Sequence, residues 1–157
     1  LFGPTQVAAQ LESSKSFSKN FMVRHGVPTP RFRVCDTPEA AIEAVSCGEF
    51  GFPVVIKADG LAAGKGVTVA PDRPAAEMAV REAMVADRFG SAGRRVLIER
   101  CLVGPEASFF AICDGRRALA LPTAQDHKRA YDGDKGPNTG GMGAFAPNPL
   151  VTPDLER

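Results

Sequence analysis

Two lysines and three glycines occupy the segment 57–66, between two runs of β-branched residues at 54–56 and 67–69. These residues are Lys57, Gly60, Gly64, Lys65 and Gly66. Glycine lets backbone N–H groups face an anion without interference from a Cβ, and lysine adds a compact positive charge. The pattern predicts a strand, a phosphate-binding loop and a second strand, with a nucleotide as the first candidate ligand. An ordinary glycine-rich hairpin with solvated lysines is the alternative.

The two best-known phosphate loops do not fit this segment. A Walker-type loop needs four residues between its first glycine and its Gly-Lys pair, then Ser or Thr, then a helix. Here three residues separate Gly60 from Gly64, Gly66 follows Lys65, and a strand follows the loop. A dinucleotide-binding fingerprint also requires a helix after its glycines. The remaining interpretation is a glycine-rich lid that carries Lys65 and closes over phosphates held near Lys57.

A second unusual segment, 125–143, combines several glycines with charged residues of both signs. A long surface loop inside a compact domain is usually functional or disordered, and both interpretations stay open for the residues alone. His127 is a weak candidate for a metal ligand, because no second ligand stands at a typical metal-binding spacing.

Composition excludes several classes of function. Of the 157 residues, 44% are hydrophobic and 24% are charged, which is ordinary for a soluble globular protein. The net charge of +1 and the absence of a Lys/Arg run argue against a nucleic-acid partner. No apolar stretch approaches the length of a membrane span. The four cysteines form no Cys-x-x-Cys pair, which favours reduced thiols and a cytoplasmic location. The chain lacks an initiator Met and is interpreted as a fragment.

Hydrophobic periodicity and turn residues predict an α+β protein. Glycine and proline end the first predicted helix, and Thr37 and Asp72 begin the next two. The predicted helices are 6–24, 38–45 and 74–89, and the predicted strands are 31–35, 54–58, 67–70, 96–99, 107–113 and 118–121. The last two strands are expected to form a hairpin that turns at Asp114-Gly115, and everything after Pro122 is predicted as loop. A change of architecture is expected at 100–105.

Five segments together resemble the phosphoribosylamine–glycine ligase family of the ATP-grasp superfamily. They are Gly3-Pro4-Thr5, Leu11-Glu12-Ser13-Ser14-Lys15, Val27-Pro28-Thr29, the run 57–66, and the loop from Asp126 to Gly143. The resemblance spans the chain in order and covers about a third of such an enzyme. It implies a partial ATP-grasp fold, in which 1–27 leads from a missing N-terminal domain. Segment 28–100 is then the lid subdomain, and 101–157 starts the larger subdomain.

The resemblance also implies how ATP is held. The family's phosphate-binding lysines match Lys15 and Lys57, and its closing lid matches Gly64, Lys65 and Gly66. Lys57 and Lys65 are the implied catalytic residues. The segment that reads adenine matches Glu99, Arg100 and Leu102, and a ribose-binding carboxylate matches Glu106. Arg100 and Pro105 stand where the family commonly has acidic residues, which weakens the case for the Arg100 side chain as a contact.

Substrate and metal contacts follow from the same resemblance. The implied substrate-binding residues, for glycine and phosphoribosylamine, are Asp126, Lys128, Arg129, Asn138, Gly140 and Gly141. Carboxylate attack on the γ-phosphate would give an acyl phosphate, which the amine then captures, so no enzyme nucleophile is needed. Magnesium or manganese ligands are expected beyond residue 157, and the fragment alone is expected to be inactive. The alternatives are an ATP-grasp ligase for another acid and amine, or a non-catalytic nucleotide-binding fragment.

Overall fold

The computed structural model describes residues 3–62, 65–133 and 135–155, and for Pro137 and Asn138 it describes the backbone alone. The chain divides into two compact units, Leu1–Leu102 and Val103–Arg157. Helices and antiparallel sheets occur together, which confirms the α+β prediction. Within the described ranges, every helix is too short or too polar to cross a bilayer.

The first unit is built on a four-stranded antiparallel sheet with the strand order β1-β4-β2-β3. Its strands are β1 (Phe32–Cys35), β2 (Val54–Ala58), β3 (Val67–Ala70) and β4 (Val96–Arg100), and its helices are α1 (Gln6–Ser13), α2 (Lys15–Arg24), α3 (Pro38–Ser46) and α4 (Arg73–Met84). Strands β2 and β3 have the predicted bounds, and β4 extends one residue beyond its predicted end.

Alternation along β2 and β4 gives the sheet two different faces. Val54, Ile56, Val96 and Ile98 belong to the hydrophobic core, which also contains alanines and Val80 from helices α3 and α4. Because side chains alternate along a strand, Lys57 and Glu99 lie on the opposite face. The alternation of side chains along both strands therefore places Lys57 and Glu99 on the face that α3 and α4 leave uncovered.

The predicted helix 6–24 is wrong in one respect, because it is two helices. Ser14 has extended dihedral angles, φ −137° and ψ 114°, and it ends α1 and begins α2. Its hydroxyl accepts a hydrogen bond from the Phe17 N–H, which is a typical N-cap interaction. Hydrophobic spacing alone continues through this break, so the periodicity did not reveal it.

Helix α4 also ends earlier than predicted, at Met84 rather than near Phe89. The N–H groups of Val85 and Ala86 both donate to the Arg81 carbonyl, and Asp87 has a left-handed φ of 53°. This geometry cannot continue an α-helix, and a short 3-10 helix (Gly90–Gly93) follows. The N-caps Thr37 and Asp72 are confirmed, each accepting from a backbone N–H three residues later.

The second unit contains more strand than predicted. Strands β5 (Ser108–Cys113) and β6 (Ala118–Asp126) form the expected hairpin, in which Asp114 Oδ1 accepts from the N–H groups of Arg116 and Arg117. The prediction of loop after Pro122 is wrong. The further strands are β7 (Arg129–Tyr131), β8 (Lys135–Asn138) and β9 (Ala144–Phe145), of which β7 pairs with β8 and β9 pairs with β6. Much of the glycine-rich segment is thus hydrogen-bonded.

Candidate functional site

A charged cluster lies on the sheet face opposite the core, in the first unit. Val55 and Glu99 are register partners across β2 and β4, so Lys57 lies diagonally across from Glu99 on the same face. The Lys57 Nζ atom is 3.0 Å from Glu99 Oε2, and the Lys19 Nζ atom is 3.2 Å from the same oxygen. One carboxylate oxygen is therefore shared by two ammonium groups from two different elements.

A cavity of about 630 Å³ opens beside this cluster. Its lining includes Lys15, Lys19, Lys57 and Glu99 together with apolar side chains such as Leu11 and Met22. A concave, partly apolar site with a few convergent charged groups is the usual form of a small-molecule pocket. Three predicted site residues, Lys15, Lys57 and Glu99, thus line one cavity.

Lys15 is positioned by the helix break and by Asp59. Its N–H donates to the Asp59 carbonyl at 3.0 Å, and its Nζ donates to the Gly60 carbonyl at 2.9 Å. Burial lowers the pKa of Lys15, and the Asp59 carboxylate partly offsets that effect. The side chain is therefore anchored to the start of the glycine-rich loop.

Asp59 also holds the first turn of α2. Its Oδ1 accepts from the Ser16 N–H at 2.6 Å, and its carboxylate accepts from the hydroxyls of Ser14 and Ser16. A carboxylate at a helix N-terminus satisfies free N–H groups and interacts favourably with the helix dipole. Asp59 therefore ties α2 to the segment that follows β2.

Glu99 is unusually buried for a carboxylate, with 2% of the residue exposed. Its Oε2 has the two lysine partners, but its Oε1 is buried without a hydrogen-bond partner among the described residues. A buried acceptor without a donor is costly, so such an atom is a candidate for contact with a ligand. A donor group such as an amine would satisfy it.

The glycine-rich loop is only partly described. Gly64 lies outside the described residues, and Lys65 is exposed, with its N–H donating to the Ala62 carbonyl at 2.9 Å. Lys65 is not among the residues that line the 630 Å³ cavity. Gly66 is buried, and a Cβ there would lie 2.7 Å from the Ala62 Cβ. Close packing therefore requires a glycine at position 66, independently of any phosphate.

The predicted adenine-reading segment continues from the end of β4. The Arg100 N–H donates to the Arg31 carbonyl at 3.0 Å, and the Arg100 side chain is exposed. Leu102 is also exposed and ends the first unit. Both side chains are exposed, so the main chain of this segment, which continues directly from buried Glu99, is its candidate for contact with a ligand.

Another charged cluster lies in the second unit. Lys128 Nζ forms an ion pair with Glu106 Oε1 and lies 3.6 Å from Asp126 Oδ2. The hydrogen bond to Glu106 raises the pKa of Lys128. Three predicted residues are thus brought together, although Glu106 was assigned to ribose and the other two to substrates.

The remaining predicted substrate residues belong to the β7–β8 hairpin and the turn after it. Arg129 Nη1 donates to the Gly136 carbonyl at 2.7 Å, and Thr139 Oγ1 accepts from the Gly141 N–H at 3.0 Å. Gly140 lies in the same bend, and Gly141 has a φ of 129°. The Asn138 side chain lies outside the described part of the chain, whereas its backbone pairs with Arg129.

The described side chains include no group of three or more His, Cys, Asp or Glu residues that could hold a metal ion. All four cysteines carry free thiols. Burial raises the pKa of the Cys35 thiol, which packs in the hydrophobic core. These thiols contribute nothing to the charged clusters described above.

Comparison with known proteins identifies the family. Residues 13–157 match the ATP-grasp (A) domain of phosphoribosylglycinamide synthetase. The chain belongs to this family. A phosphoribosylamine–glycine ligase of Xylella fastidiosa is 55% identical over 155 residues, covering 99% of this chain and 36% of that protein. The chain thus spans little more than a third of that curated relative, and the resemblance found in the sequence is confirmed.

Solved structures agree with membership of the phosphoribosylglycinamide synthetase family. The phosphoribosylamine–glycine ligase of Thermotoga maritima gives a TM-score of 0.85 at 41% identity, covering 94% of this chain and 37% of that one. A biotin carboxylase domain of Hydrogenobacter thermophilus, solved with MgADP, ADP and bicarbonate, gives a TM-score of 0.63 at 26% identity, covering 81% of this chain and 28% of that one. The predicted ATP-grasp fold is confirmed.

Two residues of the charged cluster around Lys15 and Glu99 were not predicted from the sequence. Lys19 is buried beside Glu99, and the Asp59 side chain positions the break between α1 and α2. The spacing from Lys15 to Lys19 was a usable signal, because residues four apart share one face of a helix. No comparable signal existed for Asp59, whose partners Ser14 and Ser16 are distant in sequence.

Proposed function

We propose that this chain supplies part of the ATP site of a phosphoribosylamine–glycine ligase. The reaction joins the carboxylate of glycine to the amine of 5-phosphoribosylamine and yields glycinamide ribonucleotide, ADP and phosphate. The observation that carries the proposal is the convergence of Lys15, Lys57 and buried Glu99 on one cavity. Membership of the phosphoribosylglycinamide synthetase family supports the choice of substrates.

The residues of this cavity fit ATP. Two ammonium groups, those of Lys15 and Lys57, suit the triphosphate as point charges, and the apolar lining suits the flat face of a purine. The unpartnered Glu99 Oε1 suits the exocyclic amino group of adenine, which is a donor. We propose that the backbone of 101–102, which follows the end of β4, supplies further contacts to the adenine.

Bound ATP supplies the phosphoryl group that activates the acid. The work of the protein is positioning and charge neutralisation, because phosphoryl transfer places negative charge on the transferred oxygens. Lys15 and Lys57 would neutralise that negative charge. Lys65 would contribute a further positive charge from the glycine-rich lid that it forms with Gly64 and Gly66. We further propose residues 28–100 as the lid subdomain and 101–157 as the start of the larger one.

In the second unit, we propose Glu106 as a partner of the ribose hydroxyls. The proposed substrate-binding residues are Asp126, Lys128, Arg129, Asn138, Gly140 and Gly141. Lys128 and Arg129 suit a phosphate or carboxylate, whereas Asp126 and Asn138 suit amine or hydroxyl groups. We propose that Gly140 and Gly141 bring the backbone of the same bend to the substrate, with the Gly141 N–H held by Thr139 Oγ1. The side chains of Lys128 and Glu106 form an ion pair and are both substantially exposed, which supports their availability for contact with a polar ligand.

A divalent cation belongs to the proposal as well. The biotin carboxylase relative was solved with MgADP, and we propose Mg²⁺, or Mn²⁺, with ligands outside the described residues. The proposed partners are small molecules, not nucleic acid or a membrane. Four free thiols support a reducing, cytoplasmic location.

The test is ADP formation by the intact protein that carries this sequence. We expect ADP release to require both glycine and phosphoribosylamine and to yield glycinamide ribonucleotide by mass spectrometry. Replacing glycine by alanine or D-alanine, or the amine by ammonia, should give background rates. ADP release with a different acid and amine pair would instead identify another ATP-grasp ligase, and no ATP turnover with any pair would refute an enzymatic role.

A further inference from the structure

The two lysines that share Glu99 Oε2 have different environments. Lys19 is 7% exposed, and besides Glu99 its Nζ donates to Thr29 Oγ1 at 2.6 Å and to the Pro30 carbonyl at 3.2 Å. An ammonium group has three N–H donors, so these partners use all of them. Lys19 is therefore held in place by its neighbours.

Lys57 is less constrained. Its side chain is 29% exposed, and within the described residues Glu99 Oε2 is the polar partner recorded for its Nζ. Lys57 also lines the 630 Å³ cavity. It has donors available for a ligand, and its four-carbon stem allows the ammonium group to move.

A buried carboxylate is stable only while a positive charge or several donors accompany it. If Lys57 turned toward an anion in the cavity, Glu99 would need another cation to stay charged. Lys19 meets this need at 3.2 Å without moving. We propose that Lys19 is a positioning residue: as the fixed counter-ion of Glu99, it frees Lys57 to bind the triphosphate of the nucleotide.

This inference rests on the proposed function, because it takes ATP as the occupant of the cavity. Without Lys19, Lys57 becomes the counter-ion that Glu99 cannot lose, so each triphosphate bound must compete with a buried carboxylate for the same ammonium. Loss of Lys19 should therefore weaken the binding of ligands that carry phosphates and leave the binding of a nucleoside almost unchanged. Neutralising Glu99 removes the competition, so in a Glu99→Gln background the loss of Lys19 should cost little further ATP affinity.

The experiment measures Kd for ATP and for adenosine by calorimetry in the intact protein that carries this sequence. Variants are Lys19→Met, Lys57→Met, Glu99→Gln and the Lys19→Met/Glu99→Gln double variant, with Arg24→Met as a matched loss of charge from the same helix. We expect Lys19→Met to weaken ATP binding about tenfold or more and adenosine binding less than about twofold. Because Glu99 belongs to the proposed ATP site, the double variant is compared with Glu99→Gln alone and should bind ATP within about threefold of it, and Arg24→Met should match wild type.

Two results would overturn the inference. One is unchanged ATP affinity in Lys19→Met; the other is an equal loss for ATP and adenosine that persists in the Glu99→Gln background, which marks a structural role. If Lys19→Met does not fold, the comparison passes to Glu99→Gln with and without Lys19→Met. There a further tenfold loss of ATP affinity contradicts the proposal, and equal affinities support it.

Failure of the proposed function gives a different pattern. In that case the wild-type protein binds no ATP, or Lys57→Met binds it as tightly as wild type does. If ATP binds and Lys57→Met weakens it, while Lys19→Met has no effect, the ATP site stands and the role of Lys19 is refuted.

Discussion

At the scale of single residues, the charge on Lys15, which lines the cavity, depends on its surroundings. Lys15 is partly buried and anchored to the Gly60 carbonyl, and its burial makes the charged form less stable than on a free lysine. The Asp59 carboxylate counters this effect without cancelling it. Lys15 thus loses its proton at a lower pH than an exposed lysine.

This environment predicts a pH dependence of ATP binding. As the pH rises, a lysine with a lowered pKa loses its charge before an ordinary lysine does, so its attraction for phosphates fades in that direction. We expect ATP affinity of the intact protein to fall as the pH rises from neutral toward the ordinary lysine pKa of about 10.4, and Lys15→Arg to bind ATP with a shallower fall because guanidinium stays charged. Calorimetric titrations across this range provide the measurement.

The control for this prediction is Lys135→Arg, which changes an exposed lysine of strand β8. It should reproduce the wild-type pH profile. Identical profiles for wild type and Lys15→Arg would show that Lys15 does not carry the effect.

At the scale of elements, the junction between α1 and α2 depends on one carboxylate. Ser14 ends one helix and begins the next, and Asp59, which follows β2, binds the first turn of α2 through Ser14 and Ser16. Lys15 is the first residue of α2, directly after this junction. The helix break is therefore a means of presenting a cation to the cavity.

Removal of this carboxylate has a predictable cost. Asp59→Ala would leave the Ser16 N–H and two hydroxyls without their acceptor, and we expect a loss of about 1–3 kcal/mol in the free energy of unfolding. Chemical denaturation followed by circular dichroism measures it. Asp36→Ala is the matched control, because Asp36 is mostly exposed and pairs with Arg95, and it should cost less than about 1 kcal/mol. Equal losses for both variants would contradict the role given to Asp59.

At the scale of the whole molecule, the hydrophobic core is unevenly distributed. The buried hydrophobic residues among those described run from Cys35 to Ile98, all within the first unit. In the second unit, the buried residues recorded are polar, namely Thr123 and Asn148, joined by a backbone hydrogen bond of 3.0 Å. Hydrophobic burial is the main favourable term in folding, so the two units should differ in stability.

Separate expression of the two units tests this difference. We expect residues 3–102 to unfold in one cooperative transition, because the sheet and helices α3 and α4 enclose a continuous core. Residues 103–157 alone should show no cooperative transition. Calorimetry and amide hydrogen exchange on each peptide measure both properties, and a cooperative transition in the second peptide would refute the expectation.

Much of the fold could be predicted because its signals are local. The β-branched runs in 54–58 and 67–70, the caps Thr37 and Asp72, and the turn at Asp114-Gly115 each depend on neighbouring residues, and each was found as predicted. The errors arose where hydrogen bonding that the hydrophobic pattern does not show decides the structure. The β7–β8 pairing converts a glycine-rich segment into a hairpin, and Ser14 divides a helix whose hydrophobic spacing is continuous.

The sequence by itself determined the family and the types of residue available for chemistry, since motifs of lysine and glycine are read directly from residue order. Only the tertiary structure decided which charges meet. Antiparallel pairing of β2 with β4 brings Lys57 and Glu99 together on one face, and helix α2 adds Lys19 to the same carboxylate. Burial then decides what each group can do, because a charge removed from water depends on the partners that the fold places beside it.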